Sequence, residues 1–157
     1  MYEKILVPVD GSPTSTRGLD EAIKLAGLTG GRICLFHAID EFVYTAGVDG
    51  FGGAAAIGAG MIPEIRKGGE RILEEAKLRA EASGIGAETV MASTIDGRIS
   101  DLTIAQARAW DADLIVLGTH GRRGVGRALM GSDAEQILRQ APVPVLLVRA
   151  LAPDGGA

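Results

Sequence analysis

Chemically suggestive residues concentrate between Gly118 and Ser132, where the chain reads GTHGRRGVGRALMGS. Glycines at 118, 121, 124, 126 and 131 leave backbone N–H groups unshielded, so a phosphate can approach them closely. Arg122, Arg123 and Arg127 add positive charge to the same stretch. Ser132 then opens a helical pattern whose free N–H groups and dipole favour an anion. Together these features suit a polyphosphate. A plainer reading stands beside that one. Ser132, Asp133, Ala134 and Glu135 spell a capping box, which alone accounts for Ser132 and Glu135. The two acids would also repel a phosphate unless the arginines outweigh them.

The remaining reactive side chains weigh less. Asp10 ends the first apolar run and can serve a ligand or help Ser12 cap the next helix. His120 lies among the glycines, within reach of a phosphate, with no Ser or Cys partner that would make it a catalytic base. His37 ends a core strand and reads as structural. Cys34, mid-strand, reads as a small buried hydrophobe. Two familiar phosphate motifs are incomplete. Gly126 to Gly131 has P-loop spacing, but Ser132 stands where that motif needs lysine. The first strand ends in Asp10-Gly11-Ser12-Pro13 rather than a dinucleotide fingerprint.

Elements able to position these residues follow from the apolar pattern. Runs at 4–10, 32–37, 88–94, 112–118 and 144–148 read as strands apolar on both faces. Helical spacing fills the intervals from Ser12-Pro13 to Gly30, from about Pro63 to Ser83, from Ile99 to Trp110 and from Ser132 to about Gln140. Residues 40–60, rich in Gly and Ala, read as a mobile loop. The alternation predicts an α/β domain over 1–150: a doubly wound, five-stranded parallel sheet with helices on both faces, for which the order 3-2-1-4-5 is adopted. Residues 151–157 read as a disordered tail. In such a sheet ligands sit beyond the carboxyl ends of the strands where the order reverses, here between the ends at Asp10 and Gly118.

Composition narrows the function. With 157 residues the chain suits one domain, able to bury about 68–70% of its unfolded surface. Net charge is -4 and only 4% of residues are aromatic, which argues against nucleic acid as a partner. One cysteine excludes a disulfide framework within the chain. No apolar run approaches the roughly 18 residues of a membrane span. No signal-peptide pattern opens the chain, so a cytoplasmic location is expected. The last strand is an edge in the expected order, and Pro142 and Pro144 limit its pairing.

At the glycine-rich loop the sequence resembles the universal stress protein family. Gly118, Gly121, Gly131 and Ser132 match every fixed position of the pattern G-x2-G-x9-G-[ST] of its ATP-binding members. The opening Ile5–Ser12, the segment Ala112–Gly121 and the closing Pro142–Val148 are similar to family segments, in the same order. The resemblance implies ATP with Mg²⁺ in the switch-point crevice. Asp10 would meet the ribose or the metal, Pro8, Val9 and Leu117 would line the pocket, and backbone near Ala38 would hold the adenine edge. Gly118, His120, Gly121, Arg122, Arg123, Gly131 and Ser132 would attend the phosphates, and Val145 would face the same pocket. It further implies a homodimer through the last strand and a regulatory role in stress survival with a protein partner unknown. The alternatives are a slow ATPase or phosphotransferase, and a module that binds another ligand or only a partner.

Overall fold

Ser12 starts the first helix, and the local chemistry shows how. Its hydroxyl accepts the Ser15 N–H at 3.1 Å, and Pro13 follows with a ring already set for helix. Loss of such a cap costs about 1 kcal/mol. The computed structural model describes residues 1–42, 54–119 and 130–149. In chain order they form β1 (Lys4–Pro8), α1 (Pro13–Thr29), β2 (Arg32–Asp40), α2 (Ala54–Ala82), β3 (Ala87–Thr94), α3 (Ile99–Ala109), β4 (Leu114–Gly118), α4 (Ser132–Gln140) and β5 (Val145–Val148). The expected tail at 151–157 lies outside the described residues.

All four strand pairings are parallel, and the order is β3-β2-β1-β4-β5. Side-chain alternation splits the core in two. Ile5, Val7, Val9, Ile33, Leu35, Leu114 and Val116 join Leu19, Ala22 and Ala26 of α1 and Leu73 and Ala76 of α2. Leu6, Cys34, Phe36, Ile115 and Leu117 point the other way, against Ala107 of α3 and Ala134 and Ile137 of α4. A strand buried on both faces has no polar period, which is why these runs are continuously apolar. Burial also pushes the Cys34 thiol up to about 11, as does the nearby Glu88 charge, so it stays protonated and packs as an apolar group.

Three local expectations change. The helix expected near Pro63 begins at Ala54, and Pro63 lies inside it. The proline looked like a start because it lacks the N–H that a helix interior uses, yet a long helix can absorb one missing bond. The expected 40–60 loop is therefore helical from residue 54, while residues 43–53 lie outside the described residues. The capping box at Ser132 does not form as read. Gly131 is the N-cap of α4, Ser132 is already helical, and Gly131 has no side chain with which to cap.

Helix α1 presses closely on β4. A Cβ on Gly118 would lie 2.8 Å from Thr14 Cγ2 and 2.9 Å from the Thr14 carbonyl. One on Gly18 would lie 3.4 Å from the Gly118 nitrogen. At Gly118 the new atom would meet helix backbone, and only glycine leaves the room; at Gly18 it would make ordinary contact.

Candidate functional site

Parallel strands all end on one side of the sheet, and there a cleft of about 880 Å³ opens. Pro8, Val9 and Asp10 reach it from the end of β1, and Ala38 reaches it from β2. Leu117 and Gly118 reach it from β4, and Gly131 and Ser132 from the start of α4. Eight of the residues expected at the site from sequence thus share one cavity. The Gly131 N–H donates to the Thr119 carbonyl at 2.9 Å, so the two described ends of the glycine-rich segment are joined. His120, Gly121, Arg122 and Arg123 lie outside the described residues.

Val145 is a correction. It opens β5 and pairs in register with Ile115, whereas the cleft lies at the other end of the strands. Its side chain packs in the core layer of α3 and α4. Being at the start of a parallel strand places it on the wrong edge of the sheet for a switch-point ligand.

The floor of the cleft is held by hydrogen bonds that the sequence did not announce. Asp10 accepts the Ser12 N–H at 2.9 Å through Oδ1, so its carboxylate is oriented by the turn that leads into α1. Val9 donates to the Phe36 carbonyl at 2.8 Å, and its own carbonyl lies 2.7 Å from His37 Nδ1. A carbonyl only accepts, so Nδ1 carries the proton in this contact. His37 is buried yet lines the cleft, bracing the last residue before Asp10. The structural reading of this histidine therefore holds, with a consequence for the site. Gly69 of α2 leaves the space it occupies, since a Cβ there would come within 2.7 Å of His37 Cδ2.

At the far end, Arg66 Nη2 donates to Glu41 Oε1 at 2.7 Å and to Ser93 Oγ at 3.1 Å. Those bonds tie α2 to the ends of β2 and β3, and the hydrogen bond from Arg66 holds the Glu41 carboxyl below its usual range. The described lining carries the carboxylates of Asp10, Asp40 and Asp133 and a single guanidinium, Arg98. Arg98 was absent from the sequence reading. It belongs to no motif, and only the strand order brings the loop after β3 to the cleft.

Among the described residues no cluster of three or more His, Cys, Asp or Glu could hold a metal ion by itself. Among them, too, no helix is long and apolar enough to cross a membrane.

Comparison with known proteins agrees with this architecture. The model of the universal stress protein family matches residues 1–149. The chain is 34% identical to universal stress protein MJ0531 of Methanocaldococcus jannaschii over 151 residues, covering 95% of this chain and 83% of that one. It is 33% identical to universal stress protein YxiE of Bacillus subtilis, covering 95% and 100%. Among solved structures, hypothetical protein MJ0577 superposes with a TM-score of 0.83 at 23% identity, covering 98% of this chain and 99% of that one. Two others are complexes: a universal stress protein with cAMP (TM-score 0.63, 24% identity, 94% and 97% covered) and one from Archaeoglobus fulgidus with dAMP (0.63, 23%, 94% and 98%). Sequence and fold together identify the chain as a member of the universal stress protein family.

Proposed function

We propose that this protein binds an adenine nucleotide in the cleft, ATP with Mg²⁺ foremost, and acts as a homodimeric regulator of the stress response. The observation that carries the reading is the cleft itself. It lies at the reversal of strand order, and the first and last glycines of the pattern both line it, Gly131 being bonded to Thr119, the residue after Gly118. The cAMP and dAMP complexes of two fold relatives support the same ligand class.

In this reading Ser132 offers an N–H of the α4 terminus to phosphate, beside the Gly118 backbone, while Gly131, whose own N–H is bonded to the Thr119 carbonyl, leaves room for the approach. Gly121, His120, Arg122 and Arg123 complete that end from the intervening segment. Pro8, Val9 and Leu117 flank the nucleoside, Ala38 meets the adenine edge through its backbone, and Asp10 meets the ribose or the phosphate-bound ion. The donor set fits Mg²⁺ of one kind only: an ion carried on the phosphates, with Asp10 as its protein carboxylate. Mg²⁺ is commonly held in this manner, through one or two carboxylates plus substrate oxygens. When bound, the ion neutralises phosphate charge that Asp10 and Asp133 would otherwise oppose.

Calorimetric titration of nucleotide-stripped protein with Mg-ATP tests this. The wild type should bind, and Gly121→Val should weaken binding at least tenfold, because a branched side chain bars close approach of the backbone. No heat with ATP, ADP or AMP would overturn the proposal. Phosphate release above background would instead assign a slow ATPase.

The dimer is proposed to form through β5. That strand is an edge, and Leu146 on it is 41% exposed, an apolar ladder left open. Leu146→Asp should convert a dimer into a monomer in light scattering at micromolar concentration. A monomeric wild type would sink this part of the reading.

A further inference from the structure

We infer that Arg98 grips the base of the bound nucleotide by laying its guanidinium on the ring face, and that it sets a preference for purines. The inference rests on the nucleotide reading above and deepens it.

Position comes first. In the β2–β3 register Asp40 stands opposite Thr94, and the Gly97 N–H donates to Thr94 Oγ1 at 2.7 Å, closing the turn that delivers Arg98. Arg98 therefore enters the cleft at its β2–β3 end. Gly118 enters at β4, three strand spacings from β3, or about 14 Å at roughly 4.8 Å each. A nucleotide whose phosphates occupy the glycine end presents its base, not its phosphates, to Arg98.

Chemistry comes second. A base needs a flat partner, and the aromatic rings in the described lining are both engaged: Phe36 is 1% exposed and spent on the core, and His37 is buried and bonded to the Val9 carbonyl. Ile65 and Ile99 offer apolar walls without a π face. Arg98 offers a planar cation, exposed, and among the described residues it forms no ion pair. Its side chain makes no capping bond either: at the N-cap of α3 the Arg98 carbonyl accepts from Asp101 and Leu102, and the guanidinium takes no part. A guanidinium over a ring face is attracted by the ring's electron cloud. A purine offers two fused rings and a pyrimidine one, so the gain is larger for purines.

Wild type, Arg98→Ala and Arg98→Lys are titrated with Mg-ATP, Mg-CTP and magnesium tripolyphosphate, and their melting temperatures are compared. Arg98→Ala should melt with the wild type, lose about tenfold in ATP affinity, lose less for CTP, and keep its tripolyphosphate affinity. Arg98→Lys, which keeps charge but not the plane, should fall between. Unchanged ATP affinity in Arg98→Ala overturns the inference. So does a parallel loss for tripolyphosphate, which would make Arg98 a phosphate ligand. If wild type binds no ATP, the nucleotide reading falls and this inference with it. If wild type binds and Arg98→Ala matches it, only this inference falls.

Discussion

Gly118→Val should destabilise the ligand-free protein by about 3 kcal/mol, at the upper end of the range for overpacking a tight contact. In a domain of this size that lowers the melting temperature by roughly 6–12 °C. The reason lies in the approach of α1 to β4. The new Cβ would sit 2.8–2.9 Å from atoms of Thr14, two of them backbone, and Thr14 is itself 7% exposed. A side-chain tip can swing away from such a clash; a helix backbone cannot. The first glycine of the phosphate pattern is therefore required by packing before any ligand arrives. Gly131 differs. Its φ of -59° and ψ of 147° are open to any residue, and at an N-cap serine is commonly better than glycine. Chemical unfolding of the apo protein checks the point. A Gly118→Val variant within 1 kcal/mol of wild type would show that α1 yields, and that the glycine serves the ligand alone.

The two glycines show what the sequence could disclose and what it could not. Gly118 and Gly131 are the same residue thirteen positions apart, and the family resemblance assigned both to the phosphate. Only the structure reveals that a helix presses on one of them. The parallel sheet with helices on both sides was legible for a physical reason, since strands apolar on both faces demand cover on each; the order 3-2-1-4-5, adopted among the few that right-handed crossovers leave open, is the one observed. The Ser12-Pro13 helix start was legible because capping is local chemistry. Other readings failed where local chemistry had two uses. Pro63 announced a helix start and proved to be an interior residue. Ser132 spelled a cap, yet Gly131 took the position and left Ser132 as the first helical residue. Val145 was assigned by segment likeness, but parallel pairing puts strand starts away from the cleft. Arg98 and Gly69 left no signal at all. Each matters through a neighbour far along the chain, Arg98 through the end of β2 and Gly69 through His37.

Gly69→Val should cost about 3 kcal/mol, and His37→Ala should relieve much of that cost. Valine suits the test because its helix propensity differs from that of glycine by only a few tenths of a kcal/mol, so the loss reports the clash. The clash is with an imidazole that cannot retreat freely. Cδ2 would lie 2.7 Å from the new Cβ, Met91 Sδ closes the same space at 3.0 Å, and Nδ1 is bonded to the Val9 carbonyl. His37→Ala alone removes that bond and leaves a buried carbonyl without its donor, at a cost of about 1–3 kcal/mol. In the double variant the valine fills space that the imidazole has left. The two losses should therefore fall short of additivity by at least 1 kcal/mol, a coupling expected of groups in direct contact. Strict additivity would mean that α2 moves as a body and that His37 is not what Gly69 accommodates. The consequence reaches the cleft, because His37 braces the Val9 carbonyl one residue before Asp10. A valine at 69 that pushes the ring should weaken Mg-ATP as well as the fold, and removal of the ring should not restore the affinity. Stability returns when the space is cleared; affinity returns only when Val9 is held again.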